Sequence, residues 1–208
     1  MSGKFITIEG VEGCGKSTQV VQLKHDLESK GHAVEVTREP GGTPVGEAIR
    51  RILLDPDYAD MSPTTELLLY AAARAQHVAQ RIRPALEAGR IVLCDRFADS
   101  TTAYQGAGRQ LSEDIVRRLH EIATSGVWPD LTIVLDLPVE VGLARATRRT
   151  APDRLETEPL AFHRRVREEF LRLARSEPSR IKVIDGDRAV DDVTEDIWRL
   201  VVQLLENE

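Results

Sequence analysis

The sequence predicts an α/β fold, a five-stranded parallel sheet with helices on both faces. Three observations lead there. Short apolar runs rich in β-branched residues recur along the chain, each about the length of one strand. Longer stretches with helical periodicity separate them, so successive strands are joined by crossovers and run parallel. A glycine-rich turn follows the first run, at the end of the strand where such sheets bind ligands.

Taken in order, residues 5–8 read as the first strand, and 17–30 as a helix closed by Gly31. Residues 33–37 are the second strand. The loop Glu39-Pro40-Gly41-Gly42-Thr43-Pro44 follows. Helical patterns occupy 46–54 and 63–88, the latter interrupted by Pro84. The third strand is 91–94, and 112–124 is helical. The fourth strand is 131–135, with helices at 139–149 and 159–176; the fifth is 181–184, and 190–206 is the last helix. No repeat or low-complexity linker divides the chain, so one domain spans 1–208.

The 208 residues are 41% hydrophobic and 30% charged, which excludes global disorder. Aromatics are only 4%, leaving Leu, Ile, Val and Ala to build the core. Two cysteines, Cys14 and Cys94, cannot make a disulfide scaffold. No apolar stretch is long enough to span a membrane. The N-terminus runs into the first strand without a signal-peptide core, so a cytoplasmic location is expected. The net charge of −6 argues against a nucleic-acid partner. A phosphate ligand would have to be met by locally placed cations, and the 28 basic residues include 23 arginines, suited to bidentate phosphate contacts.

The turn after the first strand reads Gly10-Val11-Glu12-Gly13-Cys14-Gly15-Lys16-Ser17, with Thr18 following. It fits G-x-x-x-x-G-K-[ST], the phosphate loop of a P-loop NTPase fold. Glycines let the backbone turn its N–H groups inward on a phosphate, and the helix behind adds its positive end. Lys16 would reach the β- and γ-phosphates and Ser17 would be a Mg²⁺ ligand. The third strand ends in Asp95-Arg96. Asp95 is placed to hold Mg²⁺ through water, like a Walker B aspartate, and Arg96 lies where two phosphates would meet.

Arg145, Arg148, Arg149 and Arg154 lie within ten residues, across a helix end and its loop. This cluster suggests a lid, at about residues 145–157, that folds over the triphosphate and neutralises the transferring phosphoryl group. The fourth strand ends in Leu135-Asp136-Leu137-Pro138, which lacks the guanine-reading N-K-x-D of a GTPase. A small kinase for a small phosphate acceptor remains. A kinase for another nucleoside monophosphate, and a nucleotide-dependent switch, are the alternative readings.

The series Thr37-Arg38-Glu39-Pro40-Gly41-Gly42-Thr43, Tyr70-Ala71-Ala72-Ala73-Arg74, Asp95-Arg96-Phe97, Ser100-Thr101-Thr102-Ala103-Tyr104-Gln105-Gly106 and Asp153-Arg154-Leu155-Glu156, together with the phosphate loop, resembles bacterial thymidylate kinases in order and spacing. The resemblance implies a nucleoside monophosphate kinase-like fold, transfer of the ATP γ-phosphate to dTMP, and a homodimer. It implies that Glu12 contacts the sugar 3′-hydroxyl and that Arg74 and Arg96 grip the acceptor phosphate. It places Tyr70 against thymine, Ser100, Thr101 and Gln105 within hydrogen-bonding reach of it, and Tyr104 where it crowds out a 2′-hydroxyl. Glu39 and Pro40 shape the acceptor loop. The phosphate loop carries no arginine, so the catalytic arginine is expected in the lid, as Arg149 or Arg154, with Arg148 on the nucleotide.

Other residues are expected to be structural. Cys14 reads as a small filler and Cys94 as core. His77 and His163 read as helix surface, and Trp128 and Trp198 as packing or dimer contacts. The first residues of the acidic stretch 185–196 follow the fifth strand and would border the adenine.

Overall fold

The structure, a computed structural model, describes residues 3–147 and 153–206. Among them five strands, β1 (Phe5–Glu9), β2 (Val34–Arg38), β3 (Ile91–Asp95), β4 (Leu131–Asp136) and β5 (Ile181–Asp185), form one parallel sheet. Their spatial order is β2-β3-β1-β4-β5. Each apolar run became a strand, and each strand continues one residue past its predicted end onto a charged residue: Glu9, Arg38, Asp95, Asp136 and Asp185. The carboxyl edge of the sheet is therefore a row of ionisable groups. β3 and β4 flank β1 and their connections leave in opposite directions, which opens a crevice at the end of β1.

β1 is buried along its whole length. Its alternate side chains face opposite layers. Ile6 and Ile8 pack with Val20, Leu23 and Leu27 of α1 (Lys16–Ser29) and with Val193, Ile197 and Val201 of α9 (Val190–Glu206). Each such aliphatic side chain contributes about 1.5–3 kcal/mol on burial. Phe5 packs on the other face, with Val92, Cys94, Val78, Ile82, Ala85 and Phe97. That face also carries polar groups, and they are paired. Thr7 meets Thr132 at 2.9 Å, and Arg180 forks onto both oxygens of Asp99 at 2.8 and 2.9 Å.

The helices begin where local chemistry allows. α2 (Pro44–Leu54) starts at Thr43, whose hydroxyl accepts from Gly46 N–H, with proline in the first turn. α3 (Pro63–His77) starts the same way at Ser62. The pattern predicted over 63–88 continues through a π-helical stretch, Val78–Ile82, into α4 (Arg83–Glu87). Pro84 lies in the first turn of α4. The widened turn ahead of it accommodates a residue that has no N–H to give the helix.

The segment 98–108 is helical, α5 (Ala98–Thr101) followed by a π-helical stretch Thr102–Gly108, where the sequence indicated no element. Glycines and paired threonines hide its periodicity. The remaining helices are α6 (Glu113–Thr124), α7 (Val139–Ala146) and α8 (Leu160–Ser176). The predicted 139–149 helix is described as far as Ala146; Arg148 and Arg149 lie outside the described residues. No described helix is long and apolar enough to cross a membrane.

Candidate active site

The phosphate loop crosses from β1 to α1 with three glycines at positive φ: Gly10 at 135°, Gly13 at 66° and Gly15 at 100°. L-residues rarely adopt these angles, so the loop needs glycine there. A Cβ on Gly13 would lie 2.1 Å from the Gly142 carbonyl of α7, and one on Gly142 would lie 2.3 Å from the Glu12 carbonyl. The loop thus rests backbone-to-backbone on the helix that leads towards the predicted lid.

Lys16 is buried and its Nζ donates to the Gly10 and Val11 carbonyls at 3.2 and 2.8 Å. It also approaches Cys14 Sγ at 3.5 Å. Its charge is therefore held inside the loop. Ser17 Oγ donates to Asp95 Oδ2 at 2.7 Å, so the two expected Mg²⁺ ligands already meet. No group of three His, Cys, Asp or Glu side chains is placed to hold a metal among the described residues. A hydroxyl and one carboxylate suit an ion that keeps its water and takes phosphate oxygens, as Mg²⁺ does.

Arg96 follows Asp95 with φ at +70°, a left-handed backbone costing about 1–3 kcal/mol in a non-glycine residue. Its N–H donates to the Ile8 carbonyl at 3.0 Å, which holds it there. The strained turn aims the guanidinium across β1. Nη1 donates to the Gly10 carbonyl and Ser100 Oγ at 2.9 and 3.1 Å, and Nη2 lies 3.5 Å from Glu12 Oε1. The guanidinium also lies 4.9 Å from the centre of the Tyr104 ring. Beneath it, Glu9 accepts from Phe97 N–H at 2.7 Å and Ser100 Oγ at 2.6 Å. Burial, with Asp99 nearby, raises the Glu9 carboxyl to about 7.

Glu12 is gripped from both sides. Tyr104 donates to its Oε1 at 2.5 Å, and His163 Nδ1 of α8 lies 3.3 Å from its Oε2. Burial alone would raise this carboxyl. The contacts with His163, Arg96, Lys16 and Tyr104 outweigh burial and hold it at about 2.

A cavity of about 330 Å³ runs from Lys16 and Ser17 to Tyr70 and Gln105. Glu12, Glu39, Pro40, Arg74, Asp95, Arg96, Ser100, Thr101 and Tyr104 line it as well, so the residues expected around the acceptor are brought together. Gly10, Val11, Cys14 and Gly15 form the loop behind this wall, and Thr18 lies in the first turn of α1. Arg38, Phe97, Asp153, Leu155 and Glu156 of the motif series, to which no contact was assigned, also line the cavity, and sequence reasoning missed Arg50 and Leu54 altogether. Arg50 donates to the Pro40 carbonyl at 3.0 Å, and burial and neighbouring Arg38 lower its pKa, which marks a place that favours an anion. The signal in the sequence was the arginine at the inner end of α2, which the helical pattern alone does not separate from its exposed neighbour Arg51.

Arg74 is almost fully buried. Its Nε donates to Glu39 Oε2 at 2.8 Å, and its Nη2 to the Phe97 carbonyl and Thr101 Oγ1 at 3.1 and 2.9 Å. Tyr70, one turn earlier, has its phenol pKa pushed up by burial.

Three expectations need correction. His77 is fully buried, not surface: its Nδ1 meets Glu39 Oε1 at 2.9 Å and its Nε2 meets Thr37 Oγ1 at 2.6 Å. Glu39, buried between Arg74 and His77, requires this pairing. His163 is likewise fully buried, against Glu12. Arg154 does not line the cavity. Its Nε donates to the Leu53 carbonyl at 2.9 Å and its Nη2 lies 2.5 Å from Glu66 Oε2. Glu66 has no exposure, so its charge needs cations beside it. Beyond Arg154, Asp153 Oδ1 accepts from the N–H groups of Leu155 and Glu156 at 2.9 and 3.0 Å, which turns the chain along the cavity wall.

The loop Gly186–Asp187, expected to border the adenine, does not line the cavity but lies against the phosphate loop, where a Cβ on Gly186 would be 3.4 Å from the Cys14 carbonyl. Gly186 N–H donates to the Asp136 carbonyl at 2.7 Å, and Arg145 of α7 pairs with Asp187 at 2.7 Å.

Comparison with known proteins agrees with this geometry. A sequence model of the family described as thymidylate kinase matches residues 8–197. A thymidylate kinase of Geobacter sulfurreducens is 57% identical over 91% of this chain and 92% of its own length. One from Deinococcus radiodurans is 53% identical over 96% of each. The crystal structure of thymidylate kinase from Ehrlichia chaffeensis superposes with a TM-score of 0.78 at 32% identity, over 97% of this chain and 99% of that one. A phosphate loop bordering a cavity, and likeness over nine-tenths or more of the chain on each comparison, place this chain in the thymidylate kinase family.

Proposed function

We propose that the protein transfers the γ-phosphoryl group of ATP to dTMP, giving ADP and dTDP. One observation carries this reading beyond family membership. Asp95 turns to Ser17 on the donor side, while the next residue, Arg96, turns to Ser100 and Glu12 on the acceptor side. Donor and acceptor phosphates would therefore meet across one peptide bond.

Phosphoryl transfer asks a protein mainly for positioning and for positive charge. Lys16 and the amides at the start of α1 hold the donor phosphates. Ser17 and Asp95 would hold Mg²⁺, which neutralises charge between the phosphates when bound. Arg96, locked by Gly10 and Ser100, and Arg74 hold the acceptor phosphate. Arg148 and Arg149, the arginines expected in a lid, would complete the donor side. Tyr70 lies along the base, Ser100, Thr101 and Gln105 hydrogen-bond to it, and Glu12 takes the sugar 3′-hydroxyl, with Tyr104 filling the space of a 2′-hydroxyl. No general base is required, because a phosphate monoester is already a nucleophile near neutral pH. The protein works in the cytoplasm as a homodimer. Exposed Leu68 on α3 and Ile115 and Ile122 on α6 supply an apolar face for the second copy.

A coupled assay of ADP release with a panel of monophosphates tests the reading. It expects dTMP to be preferred, with dUMP about 10–200-fold poorer for want of one methyl group. Equal or faster turnover with AMP or UMP would remove dTMP as the acceptor.

A further inference from the structure

Glu66 lies on α3, outside the cavity and without solvent exposure. Its Oε1 accepts from Gln105 Nε2 at 2.8 Å and from Arg109 Nε at 3.1 Å. Its Oε2 accepts from Arg109 Nη2 at 3.0 Å and lies 2.5 Å from Arg154 Nη2. Arg109 is in turn held by Glu158 at 2.5 Å. Two guanidiniums beside one carboxylate keep it ionised, and an ionised carboxylate can only accept. The amide of Gln105 is thus decided by charge: its NH₂ must turn to Glu66. Its carbonyl oxygen, on the other branch, is left for the cavity that Gln105 lines.

We infer that Glu66 is a positioning residue for base specificity, because it pins the Gln105 amide with its carbonyl towards the acceptor base. This rests on the reading of Gln105 as a base contact. A fixed acceptor there favours a pyrimidine whose N3 carries hydrogen, as thymine and uracil do. Cytosine presents an N3 lone pair to the same oxygen and is rejected. A free amide would turn over and accept either base. Glu66 thereby excludes dCMP without touching it, while the choice between thymine and uracil is left to the methyl group.

The experiment measures kcat/KM for dTMP, dUMP and dCMP in Glu66→Gln. A neutral amide at 66 can donate as well as accept, so Gln105 is released. The ratio of dTMP to dCMP should fall about tenfold or more, while the ratio of dTMP to dUMP stays put. A structural role for Glu66 would instead lower all three acceptors together, and that result overturns the inference. Glu66→Gln/Arg109→Met, which removes the carboxylate with one of its cations, is read in the same way if the single variant does not fold. Wild-type protein gives a variant-free reading: the Gln105 side-chain NH₂ should be protected from solvent exchange before any nucleotide is added, and rapid exchange overturns the inference. Gln105→Leu separates the two levels of argument. An unchanged dTMP to dCMP ratio there would remove Gln105 as the base contact. A fallen ratio there, with Glu66→Gln unchanged, would overturn only the role of Glu66.

Discussion

His163 Nδ1 lies 3.3 Å from Glu12 Oε2, which links α8 to the phosphate loop. His163→Leu replaces the imidazole that faces this oxygen, which no hydrogen bond holds, by hydrocarbon, and the lost electrostatic contact should lower stability by about 1–3 kcal/mol. Glu12 then loses its second anchor, so KM for dTMP should rise while KM for ATP stays near the wild-type value. His163→Asn keeps an N–H on the branch that Nδ1 occupied and should recover much of the loss. Equal defects in the two variants would mean that His163 only fills space.

The same carboxylate makes stability sensitive to acid. Glu12 is held at about 2, below its ordinary 4.5. A depressed carboxyl contributes stability that is complete above the unfolded value and disappears as pH falls through the folded one. Its share is about 3 kcal/mol. Melting temperature should therefore decline between pH 4.5 and 2 more steeply in the wild type than in Glu12→Gln. Parallel curves would show that Glu12 is not held as described.

Lys16→Ala removes the charge enclosed by the Gly10 and Val11 carbonyls. Turnover should fall by at least about 10²-fold, the loss typical for one missing electrostatic donor. Circular dichroism and cooperative melting should survive, because the loop is shaped by its glycines and by α7. Near-normal turnover would mean that the donor phosphates are held elsewhere.

The inner strands β1, β3 and β4 were legible because burial on both faces demands unbroken apolar runs, while the edge strands β2 and β5, only partly buried, were read from shorter β-branched alternation. The phosphate loop was legible because only certain residues can make its turns. The histidines were misread for a related reason. His77 and His163 sit among polar neighbours on helices, and pattern alone cannot tell a solvated imidazole from one buried against a carboxylate 38 or 151 residues away. Arg154 was misread because charge clustering along the chain, around residues 145–154, does not reveal that Glu66 claims one member of the cluster. Gly142 drew no notice, since a helical glycine looks like a weakness until its partner Glu12 is seen.

Ile115 and Ile122 stand on one face of α6, 50% and 71% exposed, and Leu68 of α3, a helix packed against α6, is 51% exposed. If this face meets its copy, Ile122→Glu places a charge in an apolar contact and should shift sedimentation to the monomer. Activity per chain need not vanish, because the cavity is built within one chain. A wild-type protein that sediments as a monomer at assay concentration would refute the assembly.

Gly142 permits a test in which two effects of opposite sign compete. Replacing glycine by alanine inside a helix ordinarily stabilises it by about 1 kcal/mol. Gly142 lies within α7, and its φ is not positive, so the backbone itself would accept alanine. The added Cβ, however, would sit 2.3 Å from the Glu12 carbonyl, a backbone atom that cannot swing aside as a side-chain tip would. Relief requires α7 and the phosphate loop to separate by about 1 Å, and displacements of that size cost about 10²-fold in rate when they misplace reacting groups. The clash should win. Gly142→Ala should lower both melting temperature and kcat/KM, with KM for ATP affected as well as dTMP because the loop carries Lys16 and Glu12 together. A control at Gly31, where a Cβ meets nothing within 4 Å, separates local backbone strain from contact, since that glycine sits at φ +86° and should lose stability without losing activity. A Gly142→Ala protein more stable than wild type and fully active would show that helix and loop are not in the contact on which the catalytic geometry depends.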